Sequence, residues 1–304
     1  MKLHTINTGF FKLDGGAMFG VVPKTLWNKV QPADENNLCT WAMRCLLIED
    51  GDKLILVDNG IGDKQDAKFF SNYYLHGSDT LDKSLAALGF HRDDITDVLL
   101  THLHFDHCGG SIVRQGDRLT PAFKNAVYWS NERHWKWATE PNDREKASFL
   151  KENILPIQES GQLKFVDADG AGATGAGSAT GGADAADASF RLGTINNVII
   201  PGLSVRLANG HTDAMMLPQL QYKGQTLVFM ADLLPSVGHM PLPYVMAYDM
   251  FPLTTLGEKK SFFEEAVAGK YVLFLEHDPI NECCIPEKTE KGIRAGKGFP
   301  LADL

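Results

Sequence analysis

The chain has 304 residues, of which 44% are hydrophobic and 22% are charged, so it is long enough to bury a large core. Its 14 prolines and 29 glycines are ordinary numbers for this length, which excludes collagen-like and wholly disordered chains. With 29 lysines and arginines against 38 aspartates and glutamates, the formal net charge of −9 opposes a phosphate backbone and favours a small molecule as the partner.

The first predicted elements form a β-hairpin that ends in an acidic residue. Residues 45–48 and 54–57 are apolar runs separated by a turn-prone acidic segment, which predicts two antiparallel strands. Asp58 directly follows the second strand, and sheet proteins often place functional groups at the C-terminal ends of strands. Asp58 is therefore a candidate site residue. The alternative is that it only caps the turn made with Asn59 and Gly60.

Further along, a helix and a buried strand lead into a histidine-rich segment. Leucines at helical spacing predict a helix over residues 80–88, and an apolar run predicts a buried strand over residues 95–100. A short strand over residues 126–130 and a polar, aromatic helix over residues 131–150 are predicted next.

A segment poor in bulky apolar residues divides the chain near its middle. Residues 167–189 are nearly all Gly, Ala, Ser, Thr and Asp, too few apolar groups to offset the entropy of ordering, so we predict a flexible surface loop. A domain linker is the alternative, but candidate site residues fall on both sides and must converge, which favours one domain over residues 1–304. The elements predicted beyond it are strands at 198–200, 203–207, 227–230 and 271–275, with a helix at 259–268 between the last two.

The histidine-rich segment has the composition of a metal site. His102, His104 and His107 lie within six residues, with Asp106 among them. Directly after a strand, alternating residues project to one side, so His102 and His104 can face one cation. After the chain turns, Asp106 and His107 can face a second one. Imidazole and carboxylate ligands suit Zn²⁺, with Mn²⁺, Fe²⁺ or Co²⁺ as alternatives.

Three later segments each place one more ligand-type residue after an apolar run. These residues are His211, Asp232 and His277. A lone histidine after a strand is usually structural, so the prediction depends on the combination. Together with the histidine string, several strand ends deliver imidazoles and carboxylates to one edge of a sheet.

These motifs, in this order, resemble the five that define the metallo-β-lactamase superfamily, and the resemblance spans most of the chain. It implies an α+β fold, a four-layer αβ/βα sandwich of two mixed β-sheets flanked by helices. It also implies that His102, His104 and His211 hold one metal ion and that Asp106, His107 and His277 hold a second. Asp232 would bridge the two ions, and Asp58 would support the ligand loop from outside the ligand set.

The resemblance implies a hydrolase whose nucleophile is a hydroxide bridging two divalent ions, most readily Zn²⁺. Asp106 or Asp232 would pass a proton to the leaving group. A histidine at position 104 favours hydrolysis over redox chemistry, since members that reduce oxygen or nitric oxide with iron typically have glutamate there.

Other segments resemble the quorum-quenching lactonase branch, which opens N-acyl-homoserine lactones and is related to the methyl parathion hydrolases. They are residues 15–24 with Trp27, and residues 230–232 with 245–249. One departure is Pro235, which stands where the best-known lactonases carry a tyrosine that polarises the lactone carbonyl. Another residue would have to replace that phenol, and the N-terminal apolar residues are candidates for the wall of an acyl-chain pocket, with ordinary core packing as the alternative. The substrate-binding candidates are Met18, Phe19, His239, Tyr244 and Tyr248.

Two other functions are kept as alternatives. The departure at Pro235 makes a phosphotriester, aryl-ester or thioester hydrolase the main rival to a lactonase. A metal-dependent binding protein without catalysis is the alternative from another class, although non-catalytic relatives usually lose some of the ligand residues.

The cysteines and the apolar runs provide evidence about the cellular location of the protein. Five cysteines are odd in number and sparse, which favours a reducing compartment, and adjacent Cys283 and Cys284 are predicted to be unreacted thiols. No run approaches the roughly 18 to 20 apolar residues of a membrane span, and the first residues lack a secretory signal. We therefore expect a cytoplasmic enzyme with a small-molecule substrate, without membrane or nucleic-acid partners, and with a homodimer left open.

Overall fold

The computed structural model describes residues 1–168 and 190–304, which belong to two compact units. Unit 1 comprises residues 1–11 and 42–167, and unit 2 comprises residues 12–41 and the chain from residue 168 to its end. The loop predicted over residues 167–189 lies outside the described residues from position 169 onward.

Unit 1 contains most of a six-stranded mixed sheet and a separate two-stranded hairpin. The end of the first strand and the start of the second belong to unit 2. The strands are β1 (Lys2–Asp14), β2 (Leu38–Asp50), β3 (Lys53–Val57), β4 (Asp97–Leu99), β5 (Ile112–Gln115), β6 (Arg118–Pro121), β7 (Val127–Asn131) and β8 (Leu163–Val166). The sheet has the order β1-β2-β3-β4-β7-β8, and β5 pairs with β6. From β3 to β8 its strands run parallel, so the loops that follow β3 and β4 lie at the same edge.

Unit 2 contains the second six-stranded mixed sheet. Its strands are β9 (Gly193–Ile195), β10 (Leu203–Ala208), β11 (Met215–Tyr222), β12 (Gln225–Phe229), β13 (Val272–Phe274) and β14 (Cys283–Cys284), followed by the hairpin strands β15 (Pro286–Thr289) and β16 (Gly292–Ala295). The strands follow the order β14-β13-β12-β11-β10-β9, with β12 and β13 parallel.

Helices accompany both sheets, which confirms the α+β class. They are α1 (Gly15–Phe19), α2 (Lys24–Trp27), α3 (Ala67–Ser71), α4 (Leu81–Ala87), α5 (Phe105–Cys108), α6 (Glu132–Thr139), α7 (Lys151–Glu159) and α8 (Pro252–Gly269). Helices α1, α2 and α8 belong to unit 2, and the others belong to unit 1. Within the described ranges, none of these helices combines the length and the apolar composition needed to cross a bilayer.

The hairpin predicted over residues 45–57 is confirmed. Strands β2 and β3 pair antiparallel with Leu47 opposite Leu56, and Gly51 takes a positive φ of 61° in the turn between them. Both leucines are completely buried among the aliphatic residues of unit 1. The apolar runs were a sound guide here because strand pairing across a short turn is local.

Three predicted elements differ from the structure. The helix predicted over 131–150 ends at Thr139, since Glu140 precedes Pro141 and a residue before proline is disfavoured in the helical conformation. The strand predicted over 198–200 is wrong, because these residues belong to a turn in which the Asn197 side chain accepts a hydrogen bond from the Gly202 amide. The helix predicted over 259–268 begins earlier, with Pro252 at its start.

Strand β11 had no counterpart among the sequence predictions. It contains Pro218, which lies opposite Val205 of β10 although proline has no amide hydrogen to donate. A proline within an apolar run normally argues against a central strand. The surrounding pairings with both β10 and β12 outweigh that one missing donor.

Replacing Leu56 with alanine tests the packing of unit 1. Because Leu56 is fully buried, the Leu56→Ala change removes apolar contacts and leaves a cavity, and we expect the free energy of unfolding to fall by about 3 kcal/mol. Urea unfolding followed by circular dichroism measures the change. The matched control is Leu253→Ala, the same substitution at a leucine that is 70% exposed, for which a loss comparable to that of Leu56→Ala would contradict the assigned core.

Candidate metal centre

The predicted histidine string follows β4 and forms a compact buried cluster in unit 1. His102 and His104 lie in the loop, and Asp106 and His107 lie in the short helix α5 that begins directly after it. The His102 Nε2 and His104 Nδ1 atoms are 3.0 Å apart, and His107 Nε2 lies 3.7 Å from an Asp106 carboxylate oxygen. All four side chains are buried, so their mutual contacts are shielded from water.

Asp58 anchors this ligand loop from the end of β3. One carboxylate oxygen accepts a hydrogen bond from the Thr101 amide (2.8 Å), and the other accepts one from the Thr101 hydroxyl (2.6 Å) and lies 3.2 Å from His107 Nδ1. Because a carboxylate only accepts, His107 donates through Nδ1, so in the neutral ring Nε2 is the nitrogen that carries the lone pair. Asp58 has a φ of 55°, a conformation that aspartate and asparagine tolerate better than most residues.

The hydrogen bonds also define which nitrogen of His102 and His104 is bare. The single hydroxyl proton of Thr101 goes to Asp58, so its oxygen accepts from His102 Nδ1 at 3.0 Å. His104 Nε2 donates to a Glu145 carboxylate oxygen at 3.0 Å. In neutral rings this leaves the lone pairs on Nε2 of His102 and Nδ1 of His104, which face each other at 3.0 Å. Two lone pairs at that distance repel unless a cation or a shared proton lies between them, so the pair fits a metal ion.

A second cluster of ligand-type residues lies in unit 2. The two Asp232 oxygens each lie 3.0 Å from a different imidazole, that of His211 and that of His277, in both cases at Nε2. His211 Nδ1 donates to Asp249 at 2.8 Å. Burial alone would lower the pKa of His211, but the Asp232 and Asp249 carboxylates raise it to about 10. A carboxylate with each oxygen turned to a different imidazole has the geometry of a bridging ligand.

Helix α8 holds the loop that carries His211. Glu258 accepts hydrogen bonds from the amides of Asn209 (2.7 Å) and Gly210 (3.1 Å), the two residues before this histidine. Any side chain at Gly210 would collide with Thr255 on the same helix, so the glycine permits this close approach. Burial raises the pKa of the Glu258 carboxyl group to about 8, despite the two amide donors.

Four of the five substrate-binding candidates lie together in unit 2. The Phe19 ring stacks on the His239 ring at 4.5 Å and meets Tyr244 edge-on at 6.1 Å. His239 Nε2 donates to the Met18 carbonyl and its Nδ1 accepts from the Ser236 hydroxyl, both at 2.9 Å. Burial lowers the pKa of His239 to about 3, so the ring is neutral and both nitrogens are engaged.

Tyr248, the fifth candidate, differs from the others in exposure. Its side chain is 39% exposed, whereas Met18, Phe19 and His239 are buried. It directly precedes Asp249, the hydrogen-bond partner of His211.

Three residues that support the clusters were missed by sequence reasoning. Glu145 and Asp249 accept from His104 and His211, and His134 Nε2 accepts from the Leu103 amide at 2.9 Å. His134 lies outside the motifs identified in the sequence. Acidic residues are common in this chain, and no local signal distinguishes Glu145 from the rest. Asp249 lies in the segment 245–249 that resembles lactonases, but that resemblance gave it no role.

The cysteines take no part in these clusters. All five are buried thiols, including Cys283 and Cys284. Burial raises the pKa of Cys108 to about 12, and its Sγ donates to the Leu103 carbonyl at 3.3 Å. A protonated thiol is a poor metal ligand, which agrees with a packing role for this residue beside the string.

Comparison with known proteins identifies the class to which the fold and the His/Asp clusters belong. The family model of the metallo-β-lactamase superfamily matches residues 44–277, a range that contains every predicted ligand. The chain belongs to the metallo-β-lactamase superfamily, and the predicted fold is confirmed. It is accordingly a hydrolase-superfamily protein with clusters of metal-binding residue types.

Solved structures agree along the whole chain. A probable metal-dependent hydrolase from Staphylococcus aureus is 25% identical, with a TM-score of 0.82 over 100% of this chain and 98% of that one. The dizinc quorum-quenching lactonase AidC, in complex with a product, is 20% identical, with a TM-score of 0.72 over 98% and 95% of the two chains. The hydrolase AbOPH is 19% identical, with a TM-score of 0.71 over 98% and 94%. A search of curated proteins gave no significant match.

The Asp58→Asn variant tests the anchor of the ligand loop. Asparagine keeps the shape and tolerates the positive φ, but it replaces one carboxylate oxygen with an amide that cannot accept. We expect the metal-free protein to lose about 2 kcal/mol of stability and its Thr101 amide to exchange faster with solvent.

Urea unfolding and hydrogen exchange measure these two effects. The control is Asp63→Asn on the same connection, where the side chain is exposed. Unchanged exchange at Thr101 in Asp58→Asn would contradict the anchoring role.

Proposed function

We propose that this protein is a dinuclear metal-dependent hydrolase and that N-acyl-homoserine lactones are its leading substrates. The observation that carries the proposal is the way in which hydrogen bonds orient the four imidazole rings. In His102, His104, His107 and His211, one ring nitrogen donates to an acceptor of the protein, and the other nitrogen is turned to a neighbouring ligand-type group. Metal-binding histidines are held in this way, because the second hydrogen bond sets the tautomer and the ring orientation.

The proposed ligand set is the one that the superfamily resemblance implies. His102, His104, His211 and Asp232 would hold one ion, and Asp106, His107 and His277 would hold the other, with Asp232 shared between them. The family match covers all of these residues. The donors are nitrogen and oxygen atoms only, a set that suits Zn²⁺ and leaves Mn²⁺, Fe²⁺ and Co²⁺ as alternatives.

The residues around the ions have separate tasks in hydrolysis. When bound, a pair of divalent ions lowers the pKa of a shared water and polarises the oxygen of the group under attack. Asp106 or Asp232 can carry a proton to the leaving alkoxide, since both carboxylates lie in the clusters. Asp58 holds His107 and the ligand loop in place, and Asp249 does the same for His211.

The choice of lactones depends on groups outside the ligand set. The segments that resemble lactonases and the neighbour AidC support this substrate class. Pro235 leaves the usual position of the polarising phenol without a hydroxyl, and His239 has both nitrogens engaged. Tyr244 and Tyr248 are therefore the residues we propose for contact with the lactone carbonyl, while Met18 and Phe19 would contribute to the acyl-chain wall.

A phosphotriester, aryl-ester or thioester hydrolase is the second candidate. It is favoured by the missing phenol at Pro235, because a phosphoryl oxygen can be polarised by the ions alone. A binding protein without catalysis is a third and weaker candidate, because the ligand residues are all present. For each enzyme candidate we propose a small-molecule substrate and a cytoplasmic location, and a homodimer stays a prediction.

Metal content and the Asp232→Asn variant test the dinuclear site. We expect the wild-type protein to bind two equivalents of Zn²⁺, measured by elemental analysis after dialysis, and Asp232→Asn to retain fewer than two and to lose at least about 100-fold in kcat/KM. The control is Asp117→Asn, an exposed residue. A wild-type protein that folds but holds no second equivalent would rule out the proposal.

A substrate panel separates the candidate reactions. For the two-metal protein we expect ring opening of short-chain and long-chain acyl-homoserine lactones. The reaction is monitored through the proton that the hydroxy-acid product releases. Paraoxon-type phosphotriesters and nitrophenyl esters form the second arm. If the protein releases nitrophenol quickly but leaves the lactones unopened, the second candidate replaces the lactonase. If it turns over no substrate in either arm, the binding protein is favoured.

The pH dependence of metal binding follows from His211. Its pKa is raised from 6.5 to about 10 in the metal-free protein, so a proton must leave before Nε2 can bind an ion. Between about pH 6 and 8 we expect the Zn²⁺ affinity to rise about tenfold per pH unit from this group. Calorimetry in buffers of different ionisation enthalpy measures the number of protons released when Zn²⁺ binds. His211→Gln should release one proton fewer than the wild type. The control His91→Gln, at an exposed histidine, should not change that number.

A further inference from the structure

Glu145, between α6 and α7, contacts the candidate metal centre through His104. We propose that Glu145 is a positioning residue that makes Nδ1 the metal-binding nitrogen of His104, and thereby sets the affinity of one of the two metal ions. This inference rests on the proposed function, because it takes His104 as a ligand. Glu145 lies 41 residues beyond His104, so the contact comes from the fold and not from the neighbouring sequence.

Glu145 is surrounded by donors. Its Oε1 lies 3.0 Å from His104 Nε2, and its Oε2 accepts from the Trp137 indole at 2.6 Å and from the Asn142 amide at 3.3 Å. The Asn142 carbonyl oxygen is already occupied by the amides of Arg144 and Glu145, which turns its NH₂ group to the carboxylate. An indole N–H and an amide NH₂ can only donate, so this environment requires an acceptor on both oxygens.

The same segment also holds the backbone on both sides of His104. His134 accepts from the Leu103 amide at 2.9 Å, and the Ser148 carbonyl accepts from the Phe105 amide at 3.0 Å. The Phe149 ring packs against the imidazole at 4.8 Å. With the backbone and one ring face fixed, the remaining freedom of His104 is rotation of its ring and the choice of tautomer. The hydrogen bond to Glu145 restricts both.

The burial of the Glu145 carboxylate carries a desolvation penalty that its contacts must offset. The Glu145 side chain is only 1% exposed, and an ionised carboxylate is unfavourable in such a place without compensating donors or cations. The donors from His104, Trp137 and Asn142 compensate part of that cost, and a cation on the far nitrogen of His104 would compensate more. A neutral side chain of similar shape would suffice for packing alone, so the carboxylate is explained by the histidine it orients.

The Glu145→Gln variant tests the proposal because it preserves shape and creates a donor conflict. Glutamine has one oxygen, so its NH₂ group must face the N–H of either His104 or Trp137. We expect the variant to bind one equivalent of Zn²⁺ about 10- to 100-fold more weakly, with the other equivalent nearly unchanged. Competition with a chromophoric chelator measures both affinities, and the visible spectrum of the Co²⁺-loaded protein reports the altered coordination.

A second substitution distinguishes positioning from packing. In Glu145→Gln/Trp137→Phe the indole N–H is gone, so the glutamine NH₂ can turn to that side and its oxygen can again accept from His104. We expect the double variant to recover part of the lost affinity, while Trp137→Phe alone changes it less than about threefold. A double variant as weak as Glu145→Gln would contradict the proposed tautomer control, because a packing defect would only grow with the second change.

The remaining outcomes separate this inference from the proposed function. Glu140→Gln, an exposed change in the same segment, is the control and should bind both ions normally. If the wild type binds no metal, the proposed function fails; if it binds two ions and Glu145→Gln binds them equally well, only this inference fails.

Nitrogen-15 NMR of the metal-free wild type determines the tautomer of His104 without any variant. A proton on Nδ1 of His104 instead of Nε2 would also overturn the proposed role of Glu145.

Discussion

A buried imidazole can bind a cation only if one nitrogen is bare and points at the ion, and this requirement organises the environment of each cluster. Burial removes the water that would otherwise accept from the other nitrogen, so the protein must supply an acceptor for it. Thr101, Asp58, Glu145 and Asp249 do this for His102, His107, His104 and His211. The acceptors belong to strand ends and connections, where the backbone is free to bring them close.

The same arrangement concentrates negative charge. Asp58, Asp106 and Glu145 lie around the cluster of unit 1, and Asp232 and Asp249 lie around that of unit 2. Carboxylates crowded in a poorly hydrated place raise the affinity of neighbouring groups for positive charge, which is why the pKa of His211 reaches about 10 without a metal. In the metal-free protein a proton neutralises part of that charge. A divalent ion can take its place, so metal binding and proton release are linked.

Much of the fold and most of the candidate ligands could be predicted from sequence because their signals are local. The hairpin of β2 and β3 and the string from His102 to His107 each occupy a short stretch with regular spacing. Strand β11 was missed because Pro218 contradicts the local pattern, and only pairing with two neighbouring strands overrides it. Glu145 and Asp249 were missed for a related reason. A carboxylate acquires its role from an imidazole about 40 residues away, as the separations of 41 and 38 residues show, and no spacing rule connects them.

The proposed substrate-binding residues Met18, Phe19, His239 and Tyr244 lie in another part of unit 2, where hydrogen bonds and ring stacking hold His239 in place. The neutral His239 ring links the Met18 carbonyl to the Ser236 hydroxyl and stacks on Phe19, and Lys259 donates to the carbonyls of His239 and Tyr244 at 2.7 and 2.8 Å. A histidine held in this way cannot donate a proton to a substrate without breaking a buried hydrogen bond, which argues against His239 as the polarising group. Tyr248 differs from His239 in exposure, because its side chain is partly exposed. Tyr248 directly precedes Asp249, the acceptor for His211 Nδ1. If Tyr248 contacts the substrate as we propose, the same short loop supports both substrate contact and the orientation of His211.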